Sequence, residues 1–439
     1  MRPDSARAAL GPALELAALG TALTLVVAFM ARLPGWIHAL GSVQGLYLVA
    51  FALYALAVLR LRRYAELPRV GGAVFIVALA ARMALLAAPP SLSDDIYRYV
   101  WEGRVLLHGG NPWSQCPLDP ALMGLRDARV FPSVNHPALA TIYPPLAEGG
   151  FALVAALSPT IPAMKLWVIA HDLALVALLI AFLRRQGRSP AWAMVYGWNP
   201  LVLVEYAGSG HNDPTAMLWL LLALAARRER PMLSAAALGT GVMVKLGPLV
   251  ALPFLWRFWP WRARLLALAL LAVGLAGFAW LTRGAHSGLH AYWASWRNND
   301  LVFEALERWT GSFQTARALS IAAVFAVAGL ALRRGWGTVH AARATFKTGL
   351  LVSPVAHPWY QGWILMLEPF GPTAPWILLS ATAILSYGMF KSPAEGRDFH
   401  LPLAWRMVEY GVPALMALIL AWVRARHPAT DPGEGPADV

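Results

Sequence analysis

Long apolar runs recur along almost the whole chain, and they constrain its fold more than any other feature. A run of about 20 apolar residues can cross the hydrocarbon core of a membrane as a helix. Only 13% of the residues are charged, against about 25% in soluble domains. Because lipid offers the backbone no hydrogen bonds, such runs must cross as helices. The sequence therefore predicts an all-α, polytopic transmembrane helix bundle.

About twelve to fourteen spans are predicted by length and apolarity. The candidate segments are 12–31, 43–60, 70–88, 163–184, 190–207, 213–227, 232–246, 247–259, 264–282, 313–333, 342–356, 359–371, 375–390 and 403–424. The intervals 232–259 and 342–371 each fit two spans or one bent span. Residues 1–426 are predicted to form a single transmembrane domain, and the Pro- and Gly-rich tail 427–439 to be disordered in the cytoplasm.

Basic residues fall in short clusters between the apolar runs, and these clusters predict the orientation of the chain. Lys and Arg are enriched in cytoplasmic loops, and the clusters at 60–69, 184–188, 227–230 and 424–426 can all be cytoplasmic in one threading. That threading places both termini inside and the loop 89–162 outside. The basic residues behind the net charge of +13 are therefore distributed as expected for the cytoplasmic loops of a membrane protein. No nucleic-acid partner is expected.

The loop 89–162 is the longest segment between predicted spans. A loop of this length in a compact fold is usually functional. Within it, residues 145–158 are apolar but short for a comfortable span. We therefore expect one or two helices in this loop that lie at the outer membrane interface.

The loop begins with an acidic pair, Asp94 and Asp95, directly after an apolar run. A charge next to a membrane span either lies in water or has a function. Two adjacent carboxylates can supply a general base with its orienting group, or oxygen ligands for a hard cation. The alternative is a solvated helix start, because acids favour a helix N-terminus. Which acid acts as the base, and whether Mg²⁺ or Mn²⁺ is needed, both stay open.

Arg98, Trp101 and Arg104 follow the acidic pair at roughly helical spacing. Arginine forks suit phosphate groups, and an aromatic face suits a sugar ring or a lipid headgroup. The alternative for the arginines is charge pairing with the loop acids, including Glu102. The spacing predicts that acid, ring and guanidinium share one helix face.

A second polar motif, His211-Asn212-Asp213-Pro214, separates two apolar runs. Three polar side chains at such a turn can hydrogen-bond a polar ligand or help to hold a metal. The alternative is a capping turn, with Asp213 as N-cap and Pro214 as the first helical residue. We expect the capping role for Asp213 in either case.

Lys245 lies in an otherwise apolar stretch, just before Gly247-Pro248. An intramembrane lysine is expected to face the protein interior or a watery cavity, and a broken helix is tolerated at the same place. A phosphate partner would explain this position. The alternative is a side chain that snorkels to the interface.

A third polar motif, His357-Pro358-Trp359-Tyr360, follows Ser353-Pro354. The prolines predict a break in the helix and a turn rich in aromatic residues. Such a turn is also typical of the aromatic belt at a membrane interface. The belt does not account for His357.

The chain lacks the sequence motifs that hold nucleotides in soluble enzymes. It has no P-loop and no Gly-rich dinucleotide motif after a strand. A phosphorylated donor is therefore expected to be held by Arg98, Arg104 and Lys245 at the membrane edge.

In order and spacing, these motifs resemble those of the membrane-embedded GT-C glycosyltransferases. The similar group is the polyprenyl-phosphate-mannose-dependent mannosyltransferases of glycosyltransferase family 87 and their α-1,6-mannosyltransferase relatives. The strings that carry the resemblance are Arg98 to Arg104 followed by Gly110-Asn111-Pro112-Trp113, Tyr143-Pro144-Pro145-Leu146, Trp198-Asn199-Pro200, Gly210 to Asp213, Val244 to Pro248, and Ser353-Pro354 with His357 to Tyr360.

The resemblance implies an integral enzyme of the bacterial inner membrane whose active site faces the periplasm. It implies transfer of a hexose, expected to be mannose, from a polyprenyl-phosphate-sugar donor to a glycan or lipid-linked acceptor among membrane lipids. Asp94 or Asp95 takes the family's position of the loop acid, and inversion by single displacement is expected. The expected sugar and acceptor contacts are Trp101, Tyr143, His211, Asn212, Asp213, His357, Trp359 and Tyr360. The alternative function is a secondary transporter or lipid flippase, which would also use broken helices and intramembrane charges.

Overall fold

The computed structural model describes residues 3–284, 287–391 and 401–426, and these residues form a helical bundle. The only β pairing in these ranges is an isolated bridge between Asn298 and Val355. The predicted fold class, an all-α polytopic helix bundle, is confirmed. The tail 427–439 lies outside the described residues.

Six helices in the described ranges are long and apolar enough to cross a membrane, so the chain is a multi-pass membrane protein. These segments are Leu10–Met30 (within helix Pro3–Met30), Leu40–Leu59, Ile161–Arg185, Trp261–Leu281, Phe313–Arg333 and Leu403–Arg426. The shorter helices are Leu61–Tyr64, Val70–Leu85, Asp95–Leu107, Pro145–Leu157, Asp213–Ala226, Pro231–Val244, Leu252–Trp256, Gly288–Ser295, Leu301–Thr310, Thr338–Val352 and Ala374–Thr382. The predicted count of twelve to fourteen spans stays a prediction, because several of these helices are short for a crossing.

The candidate span 190–207 is a series of short turns and not one continuous helix. Its elements are Pro190–Ala193, Met194–Gly197, Pro200–Val202 and the π-helical turn Leu203–Gly208. Pro200 has no N–H to continue the preceding turn. The Asn199 side chain accepts the N–H of Leu201 over 2.9 Å and so starts a new turn.

The candidate span 359–371 is broken in the same way. It consists of Pro358–Gln361, Gly362–Leu365 and Glu368–Phe370. Pro358 and Pro369 each lie in the first turn of a new short element. Here too, proline density decides where the helix stops.

The chain divides into two compact units. The first unit comprises Met1–Leu85, Leu179–Val204 and Arg297–Val439, as far as these residues are described. Side chains pin its broken turns to its long helices: Trp198 Nε1 donates to the Val74 carbonyl over 2.9 Å, and Tyr54 Oη donates to the Val195 carbonyl over 2.8 Å. Trp198-Asn199-Pro200 is therefore a structural motif of this unit. The single domain over 1–426 stays a prediction.

The second unit comprises Leu86–Leu178 and Glu205–Trp296, and it contains the whole loop 89–162. Two helices of that loop pack on each other: the acid helix, Asp95–Leu107, and the companion helix, Pro145–Leu157. Gly103 allows the close approach, because a Cβ at that position would lie 2.4 Å from the Phe151 carbonyl oxygen. The predicted interfacial placement of these helices stays a prediction.

Candidate active site

Two adjacent carboxylates at the start of the acid helix share one amide donor. The side-chain nitrogen of Asn135 donates to Asp94 Oδ1 and to Asp95 Oδ1, each over 2.8 Å. An amide nitrogen carries two hydrogens, so one residue serves both acids. Asp94 lies at the surface, and the Asp95 side chain is 25% exposed. The pair is thus held in a fixed orientation while it stays accessible to solvent.

The protein around Asp94 favours the neutral form of its carboxyl group. Desolvation raises the pKa of Asp94, and the neighbouring charge of Asp95 raises it further. The hydrogen bond from Asn135 opposes this shift, because it stabilises the charged form. A raised pKa makes a carboxylate a better proton acceptor near neutral pH.

His211 lies between two carboxylates that come from distant parts of the sequence. Its Nδ1 is 3.5 Å from Asp95 Oδ2, and its Nε2 is 3.5 Å from Glu205 Oε2. The side chains of His211 and Glu205 are both 1% exposed. The backbone N–H of His211 also donates to the Glu205 carbonyl over 3.1 Å. Two predicted motifs, the acid pair and the His211 turn, therefore meet within the second unit.

Asp213 and Lys245 form an ion pair beside this turn, with 2.7 Å between Lys245 Nζ and Asp213 Oδ1. Asp213 is the first residue of helix Asp213–Ala226, and Lys245 follows the last residue of helix Pro231–Val244. The Asp213 side chain is 1% exposed and that of Lys245 is 29% exposed. The ammonium group thus contacts a buried carboxylate and is also reached by solvent.

The expected capping role of Asp213 is wrong by one residue. Asn212 precedes the helix, while Asp213 already has helical backbone geometry. The Asn212 Oδ1 accepts a hydrogen bond from Thr215 Oγ1 over 2.8 Å. Asn212 therefore tethers the turn through a side chain, and Asp213 is left to face Lys245.

Arg98 is buried and holds the loop that carries Asn135. Its Nε donates to Glu102 Oε1 over 2.6 Å. Its other nitrogens donate to the backbone carbonyls of Asn135, His136 and Leu139. The structure thus directs this guanidinium at protein groups, and its predicted phosphate contact stays a prediction.

Arg104 and Trp101 also contact protein groups. Arg104 pairs with Asp127 and donates to the Pro159 carbonyl over 2.8 Å. Trp101 is 1% exposed, and its ring packs on Phe131 with 5.1 Å between centroids. The predicted phosphate contact of Arg104 and sugar contact of Trp101 remain predictions.

Tyr143 lies behind the acid helix in an aromatic cluster. Its ring contacts Tyr99 edge-on with 5.2 Å between centroids, and Phe151 with 5.6 Å. Its hydroxyl lies 3.4 Å from the Tyr99 hydroxyl. The side chain is half-buried, so part of it remains accessible.

His357, Trp359 and Tyr360 cluster in the first unit. The rings of His357 and Trp359 stack with 4.2 Å between centroids and 7° between planes. Tyr360 meets His357 edge-on at 5.4 Å. The predicted aromatic turn is present, and its role in sugar binding stays a prediction.

Sequence reasoning missed two residues that organise the acid pair, Asn135 and Glu205. Glu205 carried a usable signal, because it is an acid within the apolar run that follows Trp198. It also lies in a π-helical turn, an irregularity that often marks functional sites. Asn135 carried no such signal, because it is one polar residue in a loop of many.

In the described residues, no group of three or more His, Cys, Asp or Glu is arranged to hold a metal ion. The predicted need for Mg²⁺ or Mn²⁺ stays a prediction.

Comparison with known proteins shows the family to which the sequence belongs. Residues 12–263, more than half of the chain, match the model of the family described as alpha-(1->6)-mannopyranosyltransferase, N-terminal domain. This range includes the acid pair, the His211 turn and Lys245. No curated protein and no solved structure matches the chain.

Proposed function

The chain belongs to the alpha-(1->6)-mannopyranosyltransferase family, and on that premise we propose that it transfers mannose from a polyprenyl-phosphate-linked donor to a glycan or lipid-linked acceptor. Family membership and the multi-pass helical fold support this reaction and its membrane setting. The observation that carries the choice of site is the contact between Asp95 and His211. This contact joins the acid pair to the His211 turn, and Asp213 of the same turn pairs with Lys245.

In the proposed reaction, Asp94 is the general base. It is the more exposed acid of the pair, and its raised pKa suits proton uptake. The acceptor hydroxyl attacks the anomeric carbon and gives its proton to Asp94, while the bond from that carbon to the phosphate oxygen breaks. A single displacement inverts the anomeric carbon, so an α product requires a β-linked donor. Asn135, which donates to both acids, orients the base, and the neighbouring charge of Asp95 raises the pKa of Asp94.

Lys245 is our proposed partner of the leaving phosphate. The departing lipid phosphate gains one negative charge, and a cation fixed where that charge develops stabilises the transition state. The ion pair with Asp213 fixes the ammonium group, and its 29% exposure leaves room for a second anionic partner. Because Arg98 and Arg104 already hold protein groups, Lys245 takes the main phosphate role in this scheme.

The membrane side is part of the proposal: the loop 89–162 faces the periplasm and the basic clusters face the cytoplasm. Cys116 is the single cysteine, so labelling sites can be introduced in a Cys116→Ser background. In intact bacterial cells an impermeant maleimide should label Arg129→Cys and leave Glu229→Cys unlabelled until the cells are opened. If Glu229→Cys alone were labelled in intact cells, the proposed membrane orientation would be contradicted and the opposite one supported.

Transfer itself is tested with purified full-length protein, radiolabelled polyprenyl-phosphate-mannose and an α-mannoside acceptor. We expect labelled acceptor, with a new α-linkage by NMR. Parallel reactions with a chelator, then with added Mg²⁺ or Mn²⁺, decide whether a cation takes part. Movement of the labelled donor lipid across a vesicle membrane, without transfer of mannose to the acceptor, would contradict the proposal and favour the transporter or flippase alternative.

A further inference from the structure

A buried pair of glutamates lies behind the acid pair, and the proposed reaction does not use it. Glu102 on the acid helix is 1% exposed, and Glu148 on the companion helix is 0% exposed. The Thr141 hydroxyl lies between them. Its Oγ1 is 3.0 Å from Glu102 Oε2 and 2.7 Å from Glu148 Oε1. Both distances are those of hydrogen bonds.

The hydrogen count requires one of these glutamates to be protonated. A threonine hydroxyl has a single hydrogen, so it can donate to one carboxylate only. Its oxygen also accepts the N–H of Tyr143 over 3.1 Å. The second carboxyl group can therefore bond to Thr141 only by donating a proton of its own. Two like charges this close in a buried site would not both ionise.

The proton belongs to Glu148, because the other carboxyl group has a cationic partner. Arg98 Nε donates to Glu102 Oε1 over 2.6 Å, and both side chains are buried. An adjacent guanidinium favours the ionised carboxylate. Glu148 instead faces Thr141 and the negative charge of Glu102.

We propose that Glu148 is a proton-bearing positioning residue for the acid pair. Its O–H donates to Thr141, and Thr141 donates to Glu102. Glu102 in turn holds Arg98 against the loop whose Asn135 donates to both acids. This inference rests on the proposed function only in taking the acid pair as the reacting group.

The arrangement predicts a loss of order at alkaline pH. When Glu148 loses its proton, a second negative charge lies next to Glu102 and the Thr141 bridge can satisfy only one of them. The ionisable groups that act on this carboxyl are Glu102 and Arg98, and Tyr143 acts on Arg98 in turn. Helix Ile161–Arg185, whose Trp167 lies against the companion helix at Gly150, carries Lys165, His171 and Asp172. Helix Pro231–Val244, which also packs on the companion helix, has no ionisable side chain. We therefore expect ionisation of Glu148 to contribute to the alkaline limb of kcat.

The test is Glu148→Gln in the full-length protein, because a carboxamide donates to Thr141 at every pH. We expect kcat near that of the wild type at neutral pH and an alkaline limb that moves to higher pH. Glu148→Ala should lower kcat by up to about 100-fold with KM little changed, because the acids lose their placement. Glu66→Gln, at an exposed position, should keep the wild-type profile. The same alkaline limb in Glu148→Gln as in the wild type would overturn the assignment.

A second measurement is independent of activity. Hydrogen–deuterium exchange of the segment 134–143, corrected for the intrinsic effect of pH, should speed up at alkaline pH in the wild type and not in Glu148→Gln. Equal acceleration in both proteins would refute the role of Glu148. Absence of sugar transfer in every protein, with the exchange difference present, would refute the proposed function and leave this inference standing.

Discussion

Two groups of ionisable side chains, one at the start of the acid helix and one between the acid helix and the companion helix, differ in what surrounds them. The rim acids, Asp94 and Asp95, reach solvent and are held by one amide. The buried cluster, Arg98, Glu102 and Glu148, is enclosed and bonds to protein groups. A buried charge must be paired to persist, whereas an acid at the surface can change its protonation at little cost. The rim acids are therefore suited to proton transfer, and the buried cluster is suited to holding the loop that carries Asn135.

This contrast separates two effects of mutation. Changes at the rim acids should reduce turnover and leave folding intact. Changes in the buried cluster should reduce stability first, and activity through the loop that carries Asn135. Variants in each group therefore test whether turnover and stability depend on different side chains.

Asp94→Asn should give the largest loss of turnover. It removes the proposed base, so kcat should fall by about 10²–10⁴-fold while the melting temperature stays constant. Single-turnover transfer from labelled donor measures the rate. The matched control is Asp119→Asn, because Asn also accepts the Ala121 N–H at that turn. An equal loss of turnover in Asp119→Asn would contradict the role of Asp94 as the general base.

Glu102→Leu should give the largest loss of stability. It leaves the Arg98 guanidinium buried without its carboxylate, which costs about 3–5 kcal/mol in comparable cases. Thermal unfolding in detergent measures the change. The double variant Arg98→Leu/Glu102→Leu should recover part of it, because no charge is then stranded. A wild-type melting temperature in the single variant would contradict the buried-cluster account.

Lys245→Met should lower kcat by about 10²–10³-fold, because the leaving phosphate loses its cation. Lys245→Arg keeps the charge and should recover part of the rate. Steady-state assays over donor concentration separate binding from turnover. Wild-type turnover in the methionine variant would remove Lys245 from the proposed reaction.

Asn135→Leu should give the smallest loss of turnover, no more than the roughly 100-fold expected of Glu148→Ala, together with a shift of the pH profile. Its amide lowers the pKa of Asp94, so its removal raises that pKa further. A base must be deprotonated to act, and the acid limb of kcat should therefore move to higher pH. Recovery of the rate as the pH rises distinguishes this variant from Asp94→Asn. An acid limb that moves to lower pH would contradict the proposed effect of Asn135 on Asp94.

The sequence predicted the helical bundle, and it singled out most segments of the candidate site, because composition and motif order carry that information. Apolar length indicates a membrane helix, and isolated acids or a lysine among apolar residues stand out. Asp95, His211, Asp213 and Lys245 were all identified in this way. In the structure they lie in contact in pairs, Asp95 with His211 and Asp213 with Lys245.

The direction in which each side chain points could not be predicted from the sequence. Helical spacing placed Arg98 and Trp101 near the acids, but packing decided which way they point. Gly103 lets the companion helix approach the acid helix closely. The guanidinium of Arg98 donates to backbone carbonyls of the loop that carries Asn135. Contacts with a distant loop leave no periodic pattern in the sequence, and for the same reason Asn135 was missed.

Chemical rescue of Asp94→Ala by formate tests most directly whether this carboxylate takes the acceptor proton. Removing the side chain at an exposed position opens a space that a small carboxylate can enter from solvent. We expect a transfer rate that is low in Asp94→Ala and rises with formate concentration, whereas the rate of Glu102→Ala should not respond to formate. Full activity of Asp94→Ala without formate would contradict it.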